Sequence, residues 1–359
     1  MDQKVLLAYS PIVAFTALLW HQGAVIYVLS IIPVFLLCIL LSCLLTEDNG
    51  YASLVDSLLS PAYVTHSPRD GAIVITGVSR GLGNALANHF AEKGYLVIGS
   101  CRKEGDRVSL LRQGEGNIYP FIMDQSDLAA VKRGCAQIEE ILKSRKKTLS
   151  AVVCSAGITC MGPFECEPMD TFKRVFDTNV LGHMEIVHAM MKRIREDKSR
   201  VVVMGAPDFP MAQYCYKTTC NGALLGLTRG LRSDLTGQGV SVSLIQPAGT
   251  RGGMVIEAPK MIKALRSTMT PEQKELYPPG FKTMLEASVS GKDFGFDPVW
   301  STNAVNHAVT SPHPKTRYST TPLGTVLYLV CSFLPDRLIE ALAYYGPLGP
   351  GKVRGIGFD

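Results

Sequence analysis

The residues whose types and spacing most clearly imply chemistry are Thr76-Gly77-Val78-Ser79-Arg80-Gly81-Leu82-Gly83, a glycine-punctuated run between an apolar stretch and a helical one. Glycines at this spacing let the backbone turn tightly and approach a ligand closely. A helix that starts there turns its unbonded N–H groups toward an anion. A pyrophosphate suits such a loop, so Thr76, Gly77, Ser79, Arg80, Gly81, Leu82 and Gly83 are assigned to a bound dinucleotide. An acid at the end of the second strand would accept hydrogen bonds from the adenosine ribose and select NAD. Here that place holds Cys101, followed by Arg102. The guanidinium groups of Arg80 and Arg102 match a 2′-phosphate through charge-assisted hydrogen bonds, so NADP is expected rather than NAD.

Other polar candidates carry less. His183 and His188 share one helix with no acid or cysteine at ligand spacing, which reads as helix packing and predicts no metal site. The 10 cysteines include no C-x-x-C pair and fall inside apparent strands and helices, so neither a zinc site nor a disulfide scaffold is expected. The formal charge is +5, but the basic residues are scattered and no nucleic-acid module signature is present, which argues against a nucleic-acid partner.

The elements that must position the loop are legible as apolar runs. Stretches of strand length occur at 72–76, 96–99, 119–123, 151–154, 201–204 and 241–245, with helical patterns at 82–93, 126–143, 171–196 and 213–235. Short runs apolar throughout, each followed by a helix, predict a Rossmann-like, doubly wound parallel sheet covered on both faces. With 359 residues and 47% apolar content, the chain has ample material for such a core. Residues 5–46 contain no Asp, Glu, Lys or Arg, and 24–45 alone is long enough to cross a bilayer as a helix. A cleaved secretory signal is the competing reading, but the apolar region is too long and no small-x-small site follows it. The division expected is an anchor over 1–50, a linker over 51–70, the dinucleotide domain over 71–320, and a membrane-associated helix and tail over 321–359. Residues 252–296 follow the sixth strand at the ligand edge and are expected to form a lid.

The T-G-x-x-x-G-x-G run of Thr76–Gly83 resembles the glycine loop of the short-chain dehydrogenases/reductases, and the likeness extends from about Gly71 to Ser319. The resemblance implies an adenine contact at Asp124. It adds Ala156 and Gly157 to the cofactor set, because Cys154-Ser155-Ala156-Gly157 stands where the family usually reads Asn-Asn-Ala-Gly. Asn179 matches the asparagine that supports the family's active-site helix and water relay. His313-Pro314-Lys315-Thr316-Arg317-Tyr318-Ser319 and Tyr328–Pro335 look like segments of the microsomal retinol and hydroxysteroid dehydrogenases. Those relatives imply a lipophilic alcohol or ketone as substrate and residence in a membrane such as the endoplasmic reticulum; a homodimer is one open option for the assembly.

Family members transfer hydride with a Ser, a Tyr and a Lys in Y-x-x-x-K, whose i, i+4 spacing puts phenol and ammonium on one helix face. That motif is missing here. Counting back from Pro247 by the family's spacing puts Lys217 at the tyrosine position and Asn221 at the lysine position, and Met204-Gly205-Ala206-Pro207 offers no hydroxyl where the serine belongs. Tyr214, three residues before Lys217, is the displaced alternative donor. Pro247 keeps its place beside the nicotinamide, Ala248 replaces the usual glycine, and Thr250 substitutes for a threonine whose position falls at Gly252. Losing a positioned proton donor costs roughly 10² to 10⁴ in rate. Two readings follow: an NADP(H)-dependent oxidoreductase with an altered catalytic set, or a catalytically inactive NADP- or lipid-binding protein acting as sensor or scaffold.

Overall fold

The computed structural model describes residues 61–113, 116–210, 215–248, 250–251, 253–277 and 296–345. Among them, seven parallel strands form one sheet in the order β3-β2-β1-β4-β5-β6-β7. The strands are β1 (Gly71–Ile75), β2 (Leu96–Cys101), β3 (Ile118–Ile122), β4 (Thr148–Cys154), β5 (Arg200–Met204), β6 (Ser241–Gln246) and β7 (Arg317–Ser319). The order reverses between β1 and β4, so the crevice for a ligand opens beyond the C-terminal ends of these two strands.

Alternate residues of each strand feed two cores. Ala72, Val74, Ile98, Val152 and Val203 pack against α3 (Leu128–Ser144), α5 (Gly182–Glu196) and α6 (Cys215–Asp234). Ile73, Ile75, Val97, Val153 and Val202 pack against α1 (Gly81–Glu92), α2 (Glu104–Gln113) and α9 (Val299–Thr310). Burial on both faces explains why these strands lack polar alternation.

Several elements differ from the sequence expectation. The helix expected over 171–196 is α4 (Met169–Phe176), a π-helical turn at Asp177–Leu181, and then α5. The π turn inserts one extra backbone residue and shifts the register between the two helices, a local break that an unbroken helical assignment over the whole span does not register. Helices α2 and α9 and strand β7 have no counterpart among the elements read from the sequence; α2 buries only Leu110, too little to print a helical stripe. After β6 come α7 (Gly253–Thr268) and α8 (Pro271–Leu276). The described residues close with two helices, α10 (Pro322–Phe333) and α11 (Asp336–Tyr345), where one helix and a tail were expected over 321–359. No helix among the described residues is long and apolar enough to cross a membrane; the apolar stretch 5–46 and the tail 346–359 lie outside them.

Residues 61–70, the second half of the expected linker, are bound along the edge where the strands begin. Arg200, 1% exposed at the start of β5, donates to Ser241 Oγ (3.0 Å), Val64 O (2.8 Å) and Ser311 O (2.9 Å), and its guanidinium lies 5.1 Å from the Tyr63 ring centre. Tyr63 N donates to Pro312 O (2.8 Å) and Tyr95 Oη to His66 O (3.0 Å). Burial lowers the Arg200 pKa to about 10, still charged at neutral pH. The arginine thus staples the entering chain to β5, β6 and the segment before β7. Arg200→Met strips donors from two carbonyls and is expected to cost about 2–4 kcal/mol in urea denaturation. The same variant is expected to open 61–70 to limited proteolysis.

Candidate cofactor and active site

At the end of β1 the buried Thr76 turns its hydroxyl across the switch point, where Oγ1 accepts from Ser155 N and Ala156 N, both at 2.9 Å. Gly77 follows with φ +74°, and a Cβ there would stand 2.7 Å from Ala156 Cα. A Cβ on Gly83 would meet Gly77 O at 2.2 Å, so the first turn of α1 is pressed against the loop. Arg80 caps α1 in extended conformation without a side-chain hydrogen bond, and the first turn holds no acid. Its N–H groups therefore face the crevice with no internal anion to satisfy them, which fits a pyrophosphate. Ser79 and Leu82 are half-buried in this turn and Gly81 is exposed at φ +62°.

The adenosine end is basic. Cys101 closes β2 as a buried thiol, 2% exposed, whose pKa burial raises to about 11, so it offers no carboxylate-like acceptor. Arg102 next to it is exposed. Asp124 accepts from Ser126 N (2.9 Å) and Ser126 Oγ (2.7 Å). Partial burial alone would raise its pKa, but these bonds and the nearby Arg102 and Arg174 lower it on balance. Arg80 does not project freely. Its guanidinium makes a two-pronged ion pair with Glu257 of α7, one prong being Nη2 to Oε2 at 3.2 Å. Sequence reasoning missed Glu257, since an exposed acid on a surface helix carries no local signal.

Behind the crevice the loop after β4 is clamped from the π turn. Asn179 Nδ2 donates to Ile158 O (2.8 Å) and its Oδ1 accepts from Ile158 N (2.9 Å). His183, one turn on and 2% exposed, contacts Ala156 O through Nε2 at 2.9 Å, which makes Nε2 the protonated nitrogen. Burial pushes its pKa down to about 4. Gly157 is exposed at the crevice mouth.

Helix α6 supplies the remaining positions. Asn221, 6% exposed, donates through Nδ2 to Pro207 O at 3.3 Å, which places it against the β5 exit where Gly205-Ala206-Pro207 provides no hydroxyl. Lys217 lies one turn earlier, half-buried, and desolvation lowers its pKa. Tyr216 is 5% exposed, and its hydroxyl pairs with Thr159 Oγ1, directed to the β4 loop. Tyr214 lies outside the described residues. Tyr216 and Cys215 also line a shallow apolar recess with Cys160, Phe164, Glu167 and Phe172.

The loop after β5 is held by a network that the sequence did not disclose. Gln246 Nε2 donates to Ala206 O (2.8 Å) and Asp208 Oδ1 (3.3 Å), while Arg317 bonds both Gln246 and Asp208 and stacks 4.5 Å from the Tyr328 ring centre. Pro247 is half-buried after β6, and Thr250 pairs with Phe296 in an isolated bridge, its hydroxyl 3.5 Å from Ser301 Oγ. Thr321, the N-cap of α10, donates to Ala248 O (3.1 Å) and so fixes that helix at the same edge.

The short chain dehydrogenase family profile matches residues 71–263, more than half of the sequence. The chain belongs to the short chain dehydrogenase family. Within it, this family member is 29% identical over 293 residues to rat (Rattus norvegicus) retinol dehydrogenase 7 and 27% identical over 294 residues to human (Homo sapiens) retinol dehydrogenase 16, each match covering 79% of this chain and 91% of the relative. Mouse (Mus musculus) retinol dehydrogenase 5 is 27% identical over 76% of this chain and 87% of its own length. The fold is also that of a short-chain dehydrogenase from Streptomyces avermitilis, with a TM-score of 0.61 at 18% identity over 78% of this chain and 97% of that one. A metagenomic blue fluorescent protein in complex with NADPH gives 0.55 at 18% identity over 70% and 96% of the two chains.

His183 makes the clamp acid-sensitive. Its folded-state pKa of about 4 lies below the ordinary 6.5, so the unfolded chain takes up the proton first and stability falls as pH drops from 6.5 toward 4. Urea titrations across this window are expected to show a loss of up to about 3 kcal/mol, and His183→Gln to flatten that dependence.

Proposed function

We propose that this protein is a membrane-held, NADP(H)-dependent oxidoreductase of lipophilic alcohols or ketones, of the retinoid or steroid class, whose proton donor comes from the first turn of α6. The observation that carries the reading is the cradle at the switch point, where Gly77 lies against Ala156, Gly83 lets α1 press against the loop, and the uncapped start of α1 offers N–H groups to a pyrophosphate. Thr76, Ser79, Gly81, Leu82, Ala156 and Gly157 would hold the dinucleotide, Asp124 the adenine, Arg80 and Arg102 the 2′-phosphate, and Pro247 and Thr250 the nicotinamide end. When bound, the nicotinamide supplies or accepts the hydride.

The chain's own task is then to move a proton. Lys217 Nζ would give a proton to a carbonyl oxygen and recover it from solvent, a role supported by the lowering of its pKa through desolvation. Asn221 one turn below fits this assignment, because a lysine at both positions would set two like charges at i, i+4 in a poorly hydrated site. Tyr214, three residues before Lys217 in sequence and outside the described residues, is the rival donor.

Membrane residence in the endoplasmic reticulum is part of the proposal. It is supported by the uncharged stretch 5–46, by the likeness to retinol dehydrogenases, and by α10 and α11, where Val326, Phe333, Leu338 and Leu342 are exposed. A second reading, an inactive NADP- or lipid-binding sensor, is favoured by the engagement of Tyr216 with Thr159 and by the lack of a hydroxyl at 205–207.

Purified full-length protein in lipid nanodiscs, given NADPH with retinaldehyde and steroid ketones, separates the two. Turnover roughly 10² to 10⁴ below that of an intact Y-x-x-x-K enzyme, abolished by Lys217→Met or Tyr214→Phe, is the expected outcome. NADPH binding without turnover, with activity gained in Lys217→Tyr/Asn221→Lys, establishes the sensor reading instead.

A further inference from the structure

The Arg80–Glu257 pair joins the cofactor loop to the helix that covers the ligand edge. Both side chains are largely solvent-accessible, 61% and 45% exposed, so the bond is exchangeable and weak by the standards of buried pairs. It is not isolated. Arg102 and Lys260 also lie near enough to Glu257 to favour its ionised form, so three cations converge on one carboxylate. Asp106 is the further acid within electrostatic reach of Arg80. Further along, Ile262 and Leu265 of α7 and Met269 just after it pack with Met161 of the β4 loop, and the hydroxyl of Tyr277, which follows α8, donates to Glu165. Gly162 is so close to this helix that a Cβ would stand 2.0 Å from Leu265 Cδ2. The helix therefore touches the cofactor loop through one ion pair and the substrate-side loop through an apolar cluster.

We infer that Glu257 is an internal occupant of the 2′-phosphate site, and that its displacement sets the choice between NADP(H) and NAD(H) while releasing the start of α7 from the glycine loop. The inference rests on the cofactor reading given above. A 2′-phosphate carries about −1.5 to −2 charge and more acceptor oxygens than one carboxylate, so it competes for the same guanidinium groups. A dinucleotide without that phosphate has nothing to exchange for Glu257 and leaves the pair in place. Glu257 is thus a positioning and selectivity residue that taxes the phosphorylated coenzyme specifically.

The test uses the full-length protein in nanodiscs. Dissociation constants for NADPH and NADH, read from nicotinamide fluorescence, are compared between parent, Glu257→Gln and the exposed-acid control Glu272→Gln. Glu257→Gln is expected to tighten NADPH roughly fivefold to tenfold with less than about a twofold change for NADH, and the control to alter neither. In the parent, adenosine 2′,5′-bisphosphate but not AMP is expected to raise amide exchange at the start of 253–268, and in Glu257→Gln that exchange is high before any ligand is added. Equal effects on both coenzymes, or weaker NADPH binding in Glu257→Gln, overturn the role of Glu257 while leaving the cofactor assignment standing. A parent and a variant that bind neither coenzyme overturn both.

Discussion

One threonine hydroxyl holds the ligand edge together. Thr76 Oγ1 accepts two backbone N–H groups from the loop after β4, at the point where the strand order reverses and the ladder between β1 and β4 has ended. The close approach of Gly77 to Ala156 depends on it, and Ala156 in turn is held from behind by His183. Asn179 extends the same linkage to Ile158. The π turn shifts the helix register just where Asn179 must face that loop, a common use of such bulges. The crevice and the helix that follows the π turn are therefore fixed to one another by a short chain of partly buried hydrogen bonds.

Against that frame, the proton donor proposed on α6 has a distinctive electrostatic balance. A tyrosine and lysine pair places one cation beneath a neutral phenol, whereas Lys217 above Asn221 places a neutral carboxamide beneath the cation. Each arrangement keeps a single positive charge on the helix face. Desolvation then acts on the amine directly, pushing it toward the neutral form. The loop after β5, with no hydroxyl at 205–207, is ordered by Gln246, Arg317 and Asp208.

The two edges of the sheet divide the labour. The entering chain is stapled by Arg200 where the strands begin, and α10 is capped by Thr321 against Ala248 where they end. Apolar surface on α10 and α11 thus accompanies the ligand edge, while the segment that follows the N-terminal apolar stretch is tied to the opposite one.

The sequence by itself determined the sheet and the cradle, because both rest on local signals: strands buried on two faces read as unbroken apolar runs, and the Gly77, Gly81 and Gly83 turn needs residues that few alternatives can supply. The spacing from Pro247 back to Asn221 and Lys217 supplied an expectation for the catalytic positions, and the structure adds that Asn221 donates to Pro207 O. The sequence did not reveal α2, whose single buried leucine leaves no periodic stripe, or the break within 171–196. Only the tertiary structure decided what each charge meets. Arg80 and Glu257 are 177 residues apart, Arg200 and Val64 136, and Arg317 and Asp208 109, and such pairings arise from the closure of the fold around the sheet, which no local pattern of residues encodes.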